Sequence, residues 1–208
     1  MSQIRIDYYG HSCFRVSYEG KSAVFDPYKI GSVPGIDLPE GIEADRVYCS
    51  HEHGDHNAKE LIQETGNSDP FEVSFLTVPH DDAGGSLRGM NRITMIKAGQ
   101  CTVCHMGDIG RMPTEEEYTA LKQSDIVMIP VGGHYTIDAL QAKKIIDEIK
   151  PALTILMHFR KGKIGYDVIA DLDTVLQSFK ETEVLPQGSI CFDEADIPHK
   201  VITLEPIQ

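Results

Sequence analysis

Between residues 50 and 56 the chain reads Ser50-His51-Glu52-His53-Gly54-Asp55-His56. Three histidines and an aspartate fall within six positions there. Neutral imidazole nitrogens and carboxylate oxygens are the donors that suit zinc and related divalent ions. In extended backbone, His51 and His53 project to the same side because the side-chain period of a strand is two. Gly54 lets the chain turn tightly, which puts Asp55 and His56 on the turn beyond it. A solvated, charged loop is the plain alternative, but so dense a histidine cluster favours a metal site. The His-Glu-x-x-His spacing of helical zinc proteases is absent.

Other residues suit chemistry less sharply. Gly132-Gly133-His134-Tyr135-Thr136 lies between a buried strand pattern and a helix, where free N–H groups and a helix N-terminus attract anions. His134 is therefore a candidate catalytic residue, donating a proton or hydrogen bond to substrate; the alternative is a loop histidine satisfied by backbone. His11, in the Gly10-His11-Ser12 turn, is a similar candidate. The run Gly84-Gly85-Ser86-Leu87-Arg88-Gly89 lacks the lysine of a phosphate-binding loop. It reads either as a simple hairpin loop or as a rim carrying Arg88 toward an anionic substrate. His105 reads as packing beneath the site and His199 as a surface residue. Cys101-Thr102-Val103-Cys104-His105 matches the haem-attachment pattern, yet in a strand Cys101 and Cys104 point to opposite faces. With no second cysteine pair, a structural zinc there is also disfavoured. The five cysteines read as free, mostly buried thiols.

Strand patterns that would carry these residues open the chain at Ile4 to Tyr8, Cys13 to Tyr18 and Ser22 to Phe25, with turns at Gly10 and at Glu19-Gly20. Arg46 to Ser50 reads as a buried strand leading into the histidine motif. Asn57 with Glu60 resembles a capping box, and with Gly66 as a stop it predicts a short helix over 58–65. Strand signals recur at Phe71 to Val78, Arg92 to Ile96, Cys101 to His105, Asp125 to Ile129, Leu153 to Met157, Ser189 to Phe192 and Lys200 to Leu204. Thr114 and Glu117 form a capping box for a helix to about Gln123. A third helix starts near Asp138 with Ala142, Ile145, Ile146 and Ile149 at helical spacing, and Pro151 ends it. Val168, Ile169, Leu172, Val175, Leu176 and Phe179 predict a fourth. Strand-rich blocks separated by few helices fit two mixed sheets with helices outside, better than a doubly wound parallel sheet.

The whole is expected to be one domain, 1–208: 208 residues with 41% hydrophobic and 25% charged composition can bury a core without staples. Nineteen Lys and Arg stand against 32 Asp and Glu, a formal charge of −13. Such a surface repels phosphate backbones, which argues against extended nucleic-acid binding. No stretch approaches the ~18 apolar residues of a membrane span, and the N-terminal residues lack a signal-peptide core, so a cytoplasmic location without membrane attachment is expected.

His51-x-His53-x-Asp55-His56 after a strand resembles the signature of the metallo-β-lactamase superfamily. Tyr9-Gly10-His11-Ser12 and Asp26-Pro27 resemble the opening of its metal-dependent hydrolase branch, in the neighbourhood of L-ascorbate-6-phosphate lactonase. The resemblance implies a four-layer αβ/βα sandwich with metals at one edge. It also implies three further ligands, for which His80, Asp108 and His158 stand at the matching positions, each at a strand end. On that pattern His51, His53 and His80 hold one divalent ion, Asp55, His56 and His158 hold a second, and Asp108 bridges them. Zinc is the expected metal, with Mn2+, Fe2+ or Ni2+ as alternatives. Two such ions ~3.5–4 Å apart hold a hydroxide as nucleophile, and Asp55 is the candidate to orient it or handle its proton. Asp26 is a candidate to brace a ligand histidine through its other nitrogen. The expected activity is hydrolysis of a small ester, lactone or phosphoester. A catalytically silent metal-binding or regulatory module and an iron-dependent redox enzyme are the competing readings. Four closed ligands would suffice for a structural site, so the fuller set favours the hydrolase.

Overall fold

In the computed structural model, which describes residues 2–66 and 68–208, the strands pack as two mixed sheets face to face. In chain order the elements are β1 (Gln3–Gly10), β2 (Cys13–Tyr18), β3 (Lys21–Phe25), β4 (Glu43–Ala44), β5 (Arg46–Tyr48), β6 (Gln63–Glu64), β7 (Glu72–Pro79), β8 (Met90–Ala98), β9 (Cys101–His105), α1 (Glu115–Leu121), β10 (Ile126–Pro130), α2 (Ala139–Ile149), β11 (Leu153–Met157), α3 (Leu172–Ser178), β12 (Glu183–Val184), β13 (Ser189–Asp193) and β14 (Lys200–Thr203). The first sheet has the order β13-β1-β2-β3-β5 and the second β12-β14-β11-β10-β9-β8-β7, while β4 and β6 form a separate pair. Strands β9, β10, β11 and β14 run parallel, and β7, β8 and β9 antiparallel.

Period-two alternation builds the layers. Ile4, Ile6, Phe14, Val16 and Phe25 of the first sheet face Ile96, Val103, Ile126, Met128 and Ile155 of the second. The other face of the second sheet, including Ile93, Cys104, Val127, Ile129 and Leu156, packs under Leu121, Ala142, Ile145 and Val175 of the three helices. Strands β10 and β11 are thus covered on both faces, and all five residues of each are buried. Cys101 lies in the core between the sheets and Cys104 in the core under the helices, so the haem-like pair is split by the sheet itself. On the outer face of the first sheet, Tyr9, Cys13, Val24 and Val47 pack against Tyr28, Val33, Ile36, Leu38 and Ile62. That layer is mostly irregular chain, with one 3-10 turn at Lys59–Leu61.

The capping boxes at Thr114 and Asp138 both form, with Glu117 and Gln141 as their reciprocal partners. Two helix predictions are corrected. The helix expected over 58–65 is the single turn Lys59–Leu61, because Asn57 donates its amide to Glu52 instead of capping, and Gln63 and Glu64 pair with Glu43 and Ala44. The helix expected from Val168 begins at Leu172, where Asp171 accepts from the Thr174 N–H; Val168 is exposed. Among the described residues no helix is long and apolar enough to cross a membrane.

Candidate metal centre

Strands β1, β3, β5, β7, β9, β10 and β11 all end at one edge of the sandwich, and the chemistry-bearing residues follow those ends. His11 follows β1, Asp26 follows β3, and the 51–56 motif follows β5. His80 follows β7, Asp108 follows β9, and His158 follows β11. The backbone there is unusual. His11, Asp26, His134 and His158 have φ of 54°, 45°, 59° and 56°, the left-handed region that non-glycine residues enter at a cost. Such conformations cost on the order of 1–3 kcal/mol each and persist only where the surroundings hold them.

The side chains converge as two groups. His51, His53 and His80 present donor atoms within 4.8 Å of one another. His11, Asp55, His56 and His158 do the same. Asp108 lies between them: its Oδ2 is 3.2 Å from His56 Nε2, 3.2 Å from His158 Nε2 and 3.6 Å from His80 Nε2. The seven residues expected as ligands are therefore brought together, and His11 joins the second group through a 3.2 Å contact of its Nε2 with Asp55 Oδ2.

Buried groups behind these donors set their orientation. Asp26 is fully buried and accepts three hydrogen bonds: from Ser50 N at 2.6 Å, from Ser50 Oγ at 2.6 Å and from His56 Nδ1 at 2.8 Å. Its carboxylate only accepts, so His56 Nδ1 carries a proton and Nε2 is the nitrogen turned to the centre. The single hydroxyl proton of Ser50 goes to Asp26, so His51 Nδ1, 2.8 Å from Ser50 Oγ, is the donor there. His51 Nε2 is left facing the centre as well. Asn91 holds the other side: its Oδ1 accepts from Asp108 N at 2.8 Å while its amide donates to Met106 O at 2.9 Å.

The donor set fits a bound cation. Among the described residues, His51 Nε2, His56 Nε2, His158 Nε2 and Asp108 Oδ1 are buried with no hydrogen-bond partner, an arrangement that costs free energy unless something else satisfies them. Charge points the same way. Burial, followed by the neighbouring His56, pushes His51 down to about 3, and burial with His158 pushes His11 down to about 4. Burial opposes ionisation of Asp108 and Asp26. Even so, His158 and His56 hold Asp108 well below the usual carboxylate range, and His105 and His56 hold Asp26 below it. Burial also opposes protonation of His56, but Asp108 and Asp26 raise it well above an ordinary histidine. His56, between the Asp108 and Asp26 carboxylates, would give up its extra proton to make room for a cation bound there.

His134 is not brought to this cluster. It lines a neighbouring cavity with Asp81, Asp82, Arg88, Tyr135 and Gln141. The anion-binding turn expected at 132–136 is also occupied internally. Gly133 N donates to Ile137 O, Tyr135 N and Thr136 N donate to Gly133 O, and the Asp138 carboxylate fills the helix N-terminus. His105 packs beneath the site as expected, its Nε2 2.8 Å from Ser12 O and its ring stacked on Phe25.

Three contributors escape a reading of the sequence. Ser50 stands directly before the motif, but its role depends on Asp26, which lies 24 residues away. Asn91 reaches the Asp108 turn across the β8–β9 pair. Tyr166 comes from the loop after β11, and its hydroxyl lies 2.7 Å from Ser32 O and 3.2 Å from Asp55 Oδ2. Nothing local to residue 166 signals that contact. His53, Asp55, His80, Arg88, Asp108, Tyr135 and Tyr166 together line a cavity of about 290 Å³.

Histidine and aspartate donors gathered at the common strand ends of a two-sheet sandwich define a metal-dependent hydrolase with the metallo-β-lactamase fold. Residues 5–158 match the β-lactamase superfamily domain, and the chain belongs to that family. Its relatives include the UPF0173 metal-dependent hydrolase of Staphylothermus marinus, 26% identical over 97% of this chain and 96% of that one. The metal-dependent hydrolase of the same family from Carboxydothermus hydrogenoformans is 26% identical, covering 75% of this chain and 84% of its own. Among solved structures, a Thermotoga maritima protein assigned to the Zn-dependent hydrolases of the metallo-β-lactamase superfamily superposes with a TM-score of 0.75. It is 25% identical, covering 97% of this chain and 98% of that chain.

Proposed function

We propose that the chain hydrolyses a small ester, lactone or phosphoester at a dinuclear zinc centre. The observation that supports this most strongly is Asp108 Oδ2, within 3.6 Å of histidines from both donor groups. His51, His53 and His80 would hold one ion and Asp55, His56 and His158 the other, with Asp108 shared. Divalent ions held there would lower the pKa of water and polarise the scissile oxygen.

The remaining work falls to the protein's own groups. Burial opposes ionisation of Asp55, but the His11 hydrogen bond and His56 keep it charged far below neutral pH. Asp55 Oδ2 is engaged by His11 and Tyr166, so the carboxylate is fixed in orientation at the cavity wall. An ionised, oriented carboxylate there orients a nucleophilic water or takes its proton. The cavity lies at the small end of ligand sites, which typically run from about 300 Å³ upward. That volume accommodates a small molecule.

The test is elemental analysis of purified protein followed by a panel of lactones, carboxylic esters, phosphomonoesters and phosphodiesters. Two zinc ions per chain and turnover of one small-ester class are expected. Metal at a single stoichiometric site would refute the dinuclear centre, and loaded protein inert across the panel would refute the activity.

A further inference from the structure

The 290 Å³ cavity beside the donor cluster is lined by one cationic side chain, Arg88. Its backbone is held in place by a buried carboxylate. Asp81, 2% exposed, accepts from four amides of the loop: Ala83 N at 2.9 Å and Gly85 N at 2.8 Å on Oδ1, then Leu87 N at 3.0 Å and Arg88 N at 2.8 Å on Oδ2. Gly84, Gly85 and Gly89, at φ of 72°, 87° and 84°, provide the turns this wrapping needs. A buried charge spent on fixing an otherwise exposed glycine loop gives that loop a defined position, and Arg88 is its side chain at the cavity.

The guanidinium is also placed by aromatic contacts. It lies 5.5 Å from the Tyr135 ring centroid, within cation–π range. Tyr135 in turn meets Tyr166 edge-on at 5.7 Å, and the Tyr166 hydroxyl reaches Asp55. One wall therefore runs continuously from Arg88 to the donor cluster. Among the described residues, Arg88 has no ion pair and no side-chain hydrogen bond. Asp82 lines the adjoining cavity but makes no ion pair with it.

We propose that Arg88 is the subsite for a substrate oxyanion, so that the molecule cleaved is a small ester or lactone bearing a separate carboxylate or phosphate group. This rests on the hydrolase reading and supplies its substrate class. A planar, permanently charged guanidinium is suited to either oxyanion. The scissile bond would lie toward Asp108 and the histidines while the free anion lies under Tyr135. No covalent step is added to the hydrolysis.

The test has a binding arm and a kinetic arm, both on metal-replete protein, with metal content measured for every variant. Calorimetry compares glutaramate with uncharged glutaramide, and 3-phosphonopropanamide stands in for the phosphate form. The wild type should bind an anion more tightly than glutaramide. Arg88→Gln should remove roughly 10- to 100-fold of that preference, and Arg88→Lys should restore part of it. Whichever anion shows the larger loss identifies the oxyanion taken. In the kinetic arm, kcat/KM for mono-p-nitrophenyl glutarate relative to p-nitrophenyl acetate should fall by a similar factor in Arg88→Gln. An anion preference that survives Arg88→Gln at equal metal content would overturn the proposal, since the anion would then be held elsewhere. Absence of any anion preference in the wild type would overturn it as well. If neither these esters nor any member of the wider panel is hydrolysed but Arg88→Gln abolishes the binding preference, the subsite stands and the small-ester reading fails.

Discussion

Replacing Asp26 with Asn tests how the centre is built without relying on a substrate. The side chain keeps its shape, but one carboxylate oxygen becomes an NH2 group. If the amide oxygen stays on Ser50 N, the NH2 faces Ser50 Oγ and His56 Nδ1, both of which now donate to Asp26. His56 must then move away or shift its proton to Nε2, the nitrogen that serves the centre. Ser50 must turn its hydroxyl toward His51 Nδ1, and His51 is driven to the same wrong tautomer. Each buried donor left facing a donor costs about 1–3 kcal/mol, and loss of such a supporting group typically weakens metal affinity 10- to 100-fold. Because His51 and His56 belong to different donor groups, both ions should be weakened by about that factor. Ser50→Ala removes the link to His51 and one of the three hydrogen bonds on Asp26 but leaves His56 Nδ1 on that carboxylate, so it should weaken one ion and spare most of the other. The assay is zinc binding in a series of chelator buffers, with circular dichroism to confirm folding. If Asp26→Asn, still folded, binds both ions within about threefold of wild type, the tautomer reasoning is wrong.

Asp108→Ala should deplete metal far more than His134→Ala, since His134 lies outside the cluster; equal metal content in the two variants at equal folding would contradict the assignment. Asp55→Asn should keep the ion held by His51, His53 and His80 yet lower turnover by about 10²–10⁴, read from metal content alongside kcat, and wild-type kcat would rule Asp55 out. Metal-free protein should lose stability as pH falls from about 6.5 toward 4, in urea midpoints taken across that range. There the unfolded chain takes up protons that His11 and His51, pushed to about 4 and about 3, refuse while folded. Each contributes up to about 1.4 kcal/mol per pH unit. His56, raised above its unfolded value, is protonated in both states over that range and adds nothing, so a flat profile would contradict these environments.

What the sequence reveals here depends on distance along the chain. The 51–56 motif is legible because its donors are contiguous and strand geometry sets their directions. His80, Asp108 and His158 become legible only through the motif and their places at strand ends, and the structure brings all three to it. Asp26 reads as a brace from the sequence, but its use of Ser50 to reach His51 depends on how β3 and β5 pair. Tyr166 meets Asp55 across 111 residues of sequence, through a loop with no regular pattern. The helix expected over 58–65 shows the opposite failure: a valid local signal at Asn57 was outcompeted by pairing of 63–64 with β4. At His134 the local signal of a helix N-terminus was also sound, but Asp138 had already filled it.

The scattering of donors over both sheets bears on how the protein is made. The donors proposed for one ion, His51, His53 and His80, have all been synthesised once 80 residues of the chain exist, whereas the group proposed for the other is incomplete without His158. His51 and His53 hang from the first sheet and His80 from the second, so even the early triplet is gathered only when β7 is held by β8 and the sheets close on each other. The first sheet is itself unfinished until β13, synthesised after residue 188, covers the open edge of β1. A nascent chain paused before residue 158 therefore lacks one histidine of the second donor group, and neither group is gathered until the sheets close. If that group holds an ion, its filling has to follow synthesis of residue 158 and closure of the two sheets.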